Sequence, residues 1–531
     1  MWIAGLPSNI GSWMQTVGAQ WFLIEQDASP AVITLVSTAA AAPVLLFGIP
    51  AGVLGEFANR RLLLIGVQAV QVVLALTLAL LTAAGALTPF LLLALTFLLG
   101  AAAAVQLPAY QAIVPEIVPS RLIVGATSLS SIAVNVARAL GPAIAGVVIG
   151  MLGIPVVFAL NAASFTGMLF VLAFWRGYRQ PSVDPEPFGA ATRAGLRYVV
   201  NAGVVRRLYG QLLVFIVPVN ALWALLPVLA SGRLGLDSNG YGLLLAALGI
   251  GSVCGVFIIP RVRRRWGTSR LVLWSSAAYG AGLRAITATV FIPVILPVLV
   301  VLPVLVVVGM AWIGVIAPLN GTVQKFLPPW VRARGLSFYQ LVLFGGTAAG
   351  ATLSGAFASV VGVETTMTYA GAVLLVAGAV LLWIRPLLST ADKSRVSAPM
   401  PLTEDSTDRT VGEQSLDPGG AVMVIVRYEI GLDDRARFFE IMRRIEKSRR
   451  RTGARRWSLY DDRERPGIMV EVFTVGSWRE HLSQHSSRTT GYDAEVVDEA
   501  RSLSASTPMI EHLVAPVQRP WVSRQAPRFR C

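Results

Sequence analysis

From its first residues to Thr390 the chain repeats one pattern: an apolar run of about 20 residues or more, then a short polar connection. A helix that crosses about 30 Å of hydrocarbon needs roughly 20 mainly apolar residues. In lipid only helices and closed barrels satisfy their own backbone polar groups, so runs of this length constrain the fold more than any other feature. On that ruler there are twelve spans, at about 3–24, 31–54, 62–86, 89–110, 123–150, 154–175, 207–231, 240–260, 270–291, 296–320, 334–360 and 366–384. Only 14% of the 531 residues are charged, against about a quarter in soluble domains. A water-soluble multidomain protein, a disordered chain and a collagen-like repeat are all excluded.

Net charge of +15 could point to nucleic acid, but its distribution points to a membrane. Up to Thr390 there are 21 basic and 8 acidic residues; beyond it there are 23 and 21. The basic residues fall in alternate connections: Arg60 and Arg61 after span two, Arg121 after four, and Arg176 to Arg207 after six. They recur as Arg261 to Arg270 after eight, Lys325 to Arg334 after ten, and Arg385 to Arg395 after twelve. The remaining connections carry Glu25, Asp27, Asp237 and Glu364, with Arg233 as their only basic residue. By the positive-inside rule both termini are expected to be cytoplasmic, and the chain reads as a multi-pass membrane protein with no nucleic-acid partner. Cys254 and Cys531 give neither a disulfide framework nor a metal-ligand pair.

The connection after span six is the longest, which divides the spans into two groups of six, each with a heavily basic loop after its second span. Such duplicated bundles rock about a central site. The expected organisation is an N-terminal six-helix bundle (1–176), a cytoplasmic central loop (177–206), a second bundle (207–388), a linker (389–420), an α+β domain (421–515) and a tail (516–531).

Span two ends Gly52-Val53-Leu54-Gly55-Glu56-Phe57-Ala58-Asn59-Arg60-Arg61, which resembles the loop signature of the major facilitator superfamily. Phe57 stands where that signature usually has a basic residue, and Asn59 where Gly is frequent. Span five carries Asn135-x-x-Arg138-x-x-Gly141-Pro142 followed by Gly146, which resembles the antiporter motif of the same superfamily. With Ser8-Asn9-Ile10-Gly11-Ser12-Trp13-Met14-Gln15, Gln111-Ala112-Ile113-Val114-Pro115-Glu116 and Gln340 to Gly346, the chain over about 2–390 resembles the transmembrane secretion effector branch, which contains the enterobactin exporter. The resemblance implies an exporter of a siderophore or drug-like molecule and not an enzyme. It also implies that Gly52, Glu56, Arg60, Arg61, Gly141, Pro142 and Gly146 serve gating and helix packing. Branch members usually carry a short basic segment before the first helix, and Met1 stands where that segment has ended, which implies a start upstream of Met1.

Polar residues inside spans are functional candidates by default. Asn9, Trp13, Gln20, Gln106, Asn135, Arg138, Asn220, Trp223, Asn320 and Gln324 are therefore the candidate lining of a substrate cavity, with fewer than half expected to touch substrate, since Asn and Gln also join helices to one another. Arg138 is the sharpest of them, because an unpaired arginine at depth costs at least about 2.5 kcal/mol. The sequence has no Gly-x-x-x-x-Gly-Lys-Ser/Thr loop, which removes ATP as a direct driver and leaves a proton gradient as the default. No acidic residue lies deep in a span, so Glu25, at the outer end of span one, is the proton-coupling candidate.

After the linker, 421–430, 455–460, 468–475 and 509–514 read as strands, and 434–451, 478–487 and 493–503 as helices. This β-α-β-β-α-β order is ferredoxin-like, and the segment resembles antibiotic-biosynthesis monooxygenase domains, which commonly pair into dimers. A homodimer through this domain, an oxygenase activity and a partner-binding role all remain open. His481 and His485 share a helix face, but with no third ligand in view a polar face is the stronger reading; no metal and no cofactor are expected. The basic run from Arg443 to Arg456 reads equally well as a solvated face or as a surface resting on anionic lipid.

Overall fold

The structure, a computed structural model, describes residues 2–48, 50, 59–119, 122–175, 188–288, 296–384 and 420–515. The loop motif at Gly52 and Glu56 lies outside the described residues, as do 389–419 of the linker and the tail from 516. The chain divides into two compact units. The first comprises Met1–Phe188, Arg207–Val323 and Leu336–Leu388; the second comprises Gly189–Arg206, Gln324–Gly335 and the described part of Ser389–Cys531.

The first unit is helical. Its helices are α1 (Trp2–Glu25), α2 (Pro30–Ala41), α3 (Arg60–Ala83), α4 (Pro89–Ile117), α5 (Ile123–Leu152) and α6 (Ile154–Phe174). After α7 (Phe188–Asn201), which belongs to the second unit, follow α8 (Gly203–Val228), α9 (Ser238–Ala288), α10 (Leu296–Phe326), α11 (Pro329–Val361) and α12 (Val363–Ile384). Among the described residues nine helices are long and apolar enough to cross a membrane. Large apolar side chains such as Leu80, Phe90, Phe174 and Val360 stand exposed on these helices, which suits a lipid solvent and would burden a water-soluble surface.

Local chemistry sets the helix ends. The Asn59 side chain caps α3 by accepting from the amides of Arg61 (3.1 Å) and Leu62 (3.2 Å). Arg61 then donates to the carbonyls of Leu172 (2.9 Å) and Ala173 (2.7 Å) at the end of α6, where a helix leaves its last carbonyls unmatched. Gly153, at φ +84°, turns the chain between α5 and α6. The basic segment Arg261 to Arg265 is expected from sequence to connect two spans, but it remains helical within α9, whose interruption falls at Gly267 with φ +77°. The cause is local: 261–266 contain neither glycine nor proline.

In the second unit, β1 (Val422–Glu429), β2 (Arg456–Asp461), β3 (Ile468–Val475) and β4 (Met509–Val514) form an antiparallel sheet in the order β2-β3-β1-β4. Helices α13 (Arg435–Thr452), α14 (Trp478–Ser483) and α15 (Gly491–Ser502) complete the unit. Alternation along β1 and β3 turns Val422, Val424, Val426, Phe473 and Val475 into a core that also takes Phe438, Ile441, Met442 and Ile445 from α13. Where the sequence predicts one helix over 478–487, α14 stops at Ser483 and Gln484–Arg488 forms a wider π turn. The next helix starts at Gly491, because Thr490 and Asp493 form a reciprocal capping box there.

The basic run is not one continuous surface. Arg449 pairs with the fully buried Glu471 (3.0 Å), which also accepts from Trp457 Nε1 (2.9 Å) and Tyr428 (3.2 Å). Arg451 pairs with Asp493, and Arg444 with Glu499 (2.7 Å). Arg449 and Arg451 thus turn inward toward buried carboxylates, while Arg443, Lys447, Arg450, Arg455 and Arg456 stay exposed.

Candidate functional site

Glycines let α5 approach its neighbours closely. A β-carbon at Gly141 would lie 2.6 Å from Trp13 Cβ of α1; one at Gly249 of α9 would lie 2.2 Å from Ala139 Cα. One at Gly146 would lie 2.6 Å from the Ser238 carbonyl oxygen. Pro142 leaves its own carbonyl against Gly242, where a β-carbon would be 2.7 Å away. Close approach of backbones through small residues is the usual packing of membrane helices.

This packing places Arg138 of α5 among indoles. Its guanidinium carbon lies 5.4 Å from the Trp13 ring centre and 5.7 Å from that of Trp312. Trp223 bridges the two, 5.6 Å from Trp13 and 6.1 Å from Trp312. Phe215 extends the cluster to Trp312 (6.1 Å) and to Tyr279 (5.8 Å). Arg138 Nε and Nη1 are sealed from solvent and have no hydrogen-bond partner among the described residues. The residue as a whole keeps part of its surface accessible, as do all three tryptophans.

Of the residues singled out in the sequence, Trp13, Arg138 and Trp223 meet here. Trp312 and Tyr279 join them and were missed; a tryptophan deep in span ten was the available signal for the first. Several others are committed elsewhere. Asn9 donates to Gly5 O (2.7 Å) and Asn220 to Ile216 O (2.6 Å), each one turn back on its own helix. Gln20 accepts from Tyr241 (2.7 Å), and Gln106 from Gln71 (2.9 Å). Asn135 and Asn320 each have interactions of their own and are half-buried. Gln324 is exposed and belongs to the second unit. Glu25 is exposed at the end of α1.

The second unit gathers the chain's three histidines. His481 lies 4.7 Å from His485 and 4.9 Å from His512, ring centre to ring centre. Burial, reinforced by the two neighbouring imidazoles, pushes His481 down to about 3, and burial lowers His512. Among the described residues no group of three or more His, Cys, Asp or Glu side chains is arranged to hold a metal ion. The same unit joins α7 to the C-terminal segment: Arg197 donates to Glu480 (2.7 Å), and Arg488 both donates to Glu480 (3.2 Å) and lies 5.1 Å from the Trp330 ring centre. Tyr198 packs edge-on against Trp330 and donates to Phe326 O (3.2 Å).

Long apolar helices packed through small residues define a multi-pass membrane protein, and its family and relatives make it a transporter of the major facilitator superfamily and not an enzyme. Comparison with known proteins agrees: the chain belongs to the transmembrane secretion effector family, whose model matches residues 1–521. A staphyloferrin A transporter of Staphylococcus aureus (strain NCTC 8325 / PS 47) is 24% identical over 280 residues, covering 52% of this chain and 69% of that protein. Among solved structures, a variant of the nucleoside transporter NupG superposes with a TM-score of 0.58 at 13% identity, over 72% of this chain and 98% of the other. A POT family transporter bound to 5-aminolevulinic acid gives 0.55 at 14%, over 72% and 96%. At these identities the structural likenesses establish the fold.

Proposed function

We propose that the protein is a secondary active exporter of a small amphipathic molecule of siderophore or drug-like character, driven by the proton gradient through alternating access. The observation that carries this reading is Arg138, buried among three tryptophans with two of its nitrogens unmatched. The staphyloferrin relative supports a siderophore as cargo. In this reading α9 counts as two spans broken at Gly267, so that twelve helices form two six-helix bundles. Gly141, Pro142 and Gly146 let α5 slide against α1 and α9, and the loop from Gly52 to Arg61 latches the inner side. Glu25 is the group that exchanges protons. The setting is a bacterial inner membrane with both termini inside. The test is accumulation of a labelled siderophore and a panel of fluorescent drugs in cells with and without the protein. Lower accumulation that a protonophore reverses is expected; equal accumulation across the panel, with the protein in the membrane, contradicts export of these classes.

A second reading concerns the C-terminal domain, which we infer to be a ferredoxin-like binding module with no oxygenase role of its own. The Arg197, Glu480, Arg488 and Trp330 cluster favours the transporter's own segments α7 and 324–335 as its partner. Glu480→Arg should raise hydrogen exchange in α7 of the intact protein, and adding Arg197→Glu should reverse the rise; unaltered exchange argues against the module.

A further inference from the structure

Arg138 lies against the indole faces of Trp13 and Trp312, with no carboxylate in ion-pair range among the described residues. Trp223 Nε1, directed at the Tyr279 hydroxyl, has no hydrogen bond of ordinary geometry. Cation–π contacts with Trp13 and Trp312 are weaker than, and do not replace, a charge-assisted partner for a guanidinium removed from water. Guanidinium presents paired N–H groups that match a carboxylate in two parallel hydrogen bonds. Among the described residues, then, Arg138 and the indoles beside it lack an anionic acceptor.

We propose that the Arg138 cavity selects a carboxylate-bearing small molecule, its carboxylate bound by Arg138 and its apolar body held by Trp13, Trp223 and Trp312. This rests on the transport reading for its purpose but not for its test. The assignment also accounts for the lack of a buried acid near Arg138 among the described residues: a resident carboxylate would pair with Arg138 and close the site to an anionic ligand.

The experiment is calorimetric titration of the full chain in lipid nanodiscs with 2-naphthoate and its neutral twin 2-naphthamide, and with citrate and its trimethyl ester. At least one acid should bind ten-fold or more tightly than its neutral twin. Arg138→Gln should abolish that preference, and Arg138→Lys should retain a weaker one. The proposal is overturned if neither acid is preferred, if the preference survives in Arg138→Gln, or if sodium chloride competes at equal concentration, which would make the ligand an inorganic anion. Should Arg138→Gln not fold, Arg138→Lys and the wild-type preference decide between the same outcomes. No gradient is involved, so loss of preference with intact efflux removes only the anion assignment. Intact preference without efflux removes the export reading and leaves the site.

Discussion

An arginine buried without a carboxylate is costly, and Arg138 is held in that condition by two indole faces. Arg138→Ala should lower export at least ten-fold while the protein still reaches the membrane, because a neutral small side chain removes the cation and needs no new partner; retained export would take Arg138 out of the mechanism. His481 makes the opposite kind of prediction, one of stability. Its proton affinity falls from the ordinary histidine range near 6.5 to about 3 on folding, so between those values the unfolded chain binds the extra proton. Stability contributed by neutral His481 is thus full above about pH 6.5 and is lost as pH falls, at up to about 1.4 kcal/mol per unit. The protection of β1 and β4 amides in the intact protein, taken relative to the intrinsic exchange rate at each pH, should fall between pH 7 and pH 5, and a His481→Phe variant should flatten that dependence; an unchanged slope would contradict the assignment.

At the scale of elements, the close contacts of α5 are the moving parts of the account. Gly249→Leu places atoms into the Ala139 backbone, and overpacking of this kind costs about 1–3 kcal/mol. Lower thermal stability and lost transport are expected. Gly66→Ala, where a β-carbon meets nothing within 4 Å, should leave both unchanged or slightly improved. If the two variants behave alike, close approach at α5 is not what matters. The elements themselves were largely legible: apolar runs place the long helices, and every strand of the C-terminal sheet falls within two residues of its expected position. What escaped was set by contacts distant in sequence. Gln20 and Gln106 read as cavity lining because they are polar within spans, yet Tyr241 and Gln71 occupy them. Arg138 and Arg284 are both arginines inside spans; only packing distinguishes the first, among tryptophans, from the second, exposed on α9. The inward turn of Arg449 and Arg451 depends on Glu471 and Asp493, which come from β3 and α15.

At the scale of the molecule, the face of the C-terminal sheet opposite its core carries Met423, Ile425, Tyr460, Val470, Val472 and Leu513. We propose that two copies of the chain meet there. Val472→Asp should convert a dimer in detergent, measured by mass photometry, to a monomer; a wild-type monomer would contradict the dimer outright. The central claim is that a gradient drives cargo through the Arg138 cavity. The most direct measurement is accumulation of a labelled carboxylate siderophore in cells expressing the wild type or Arg138→Ala, with and without protonophore. The account predicts low accumulation only for the energised wild type, and export by Arg138→Ala at the wild-type rate would contradict it.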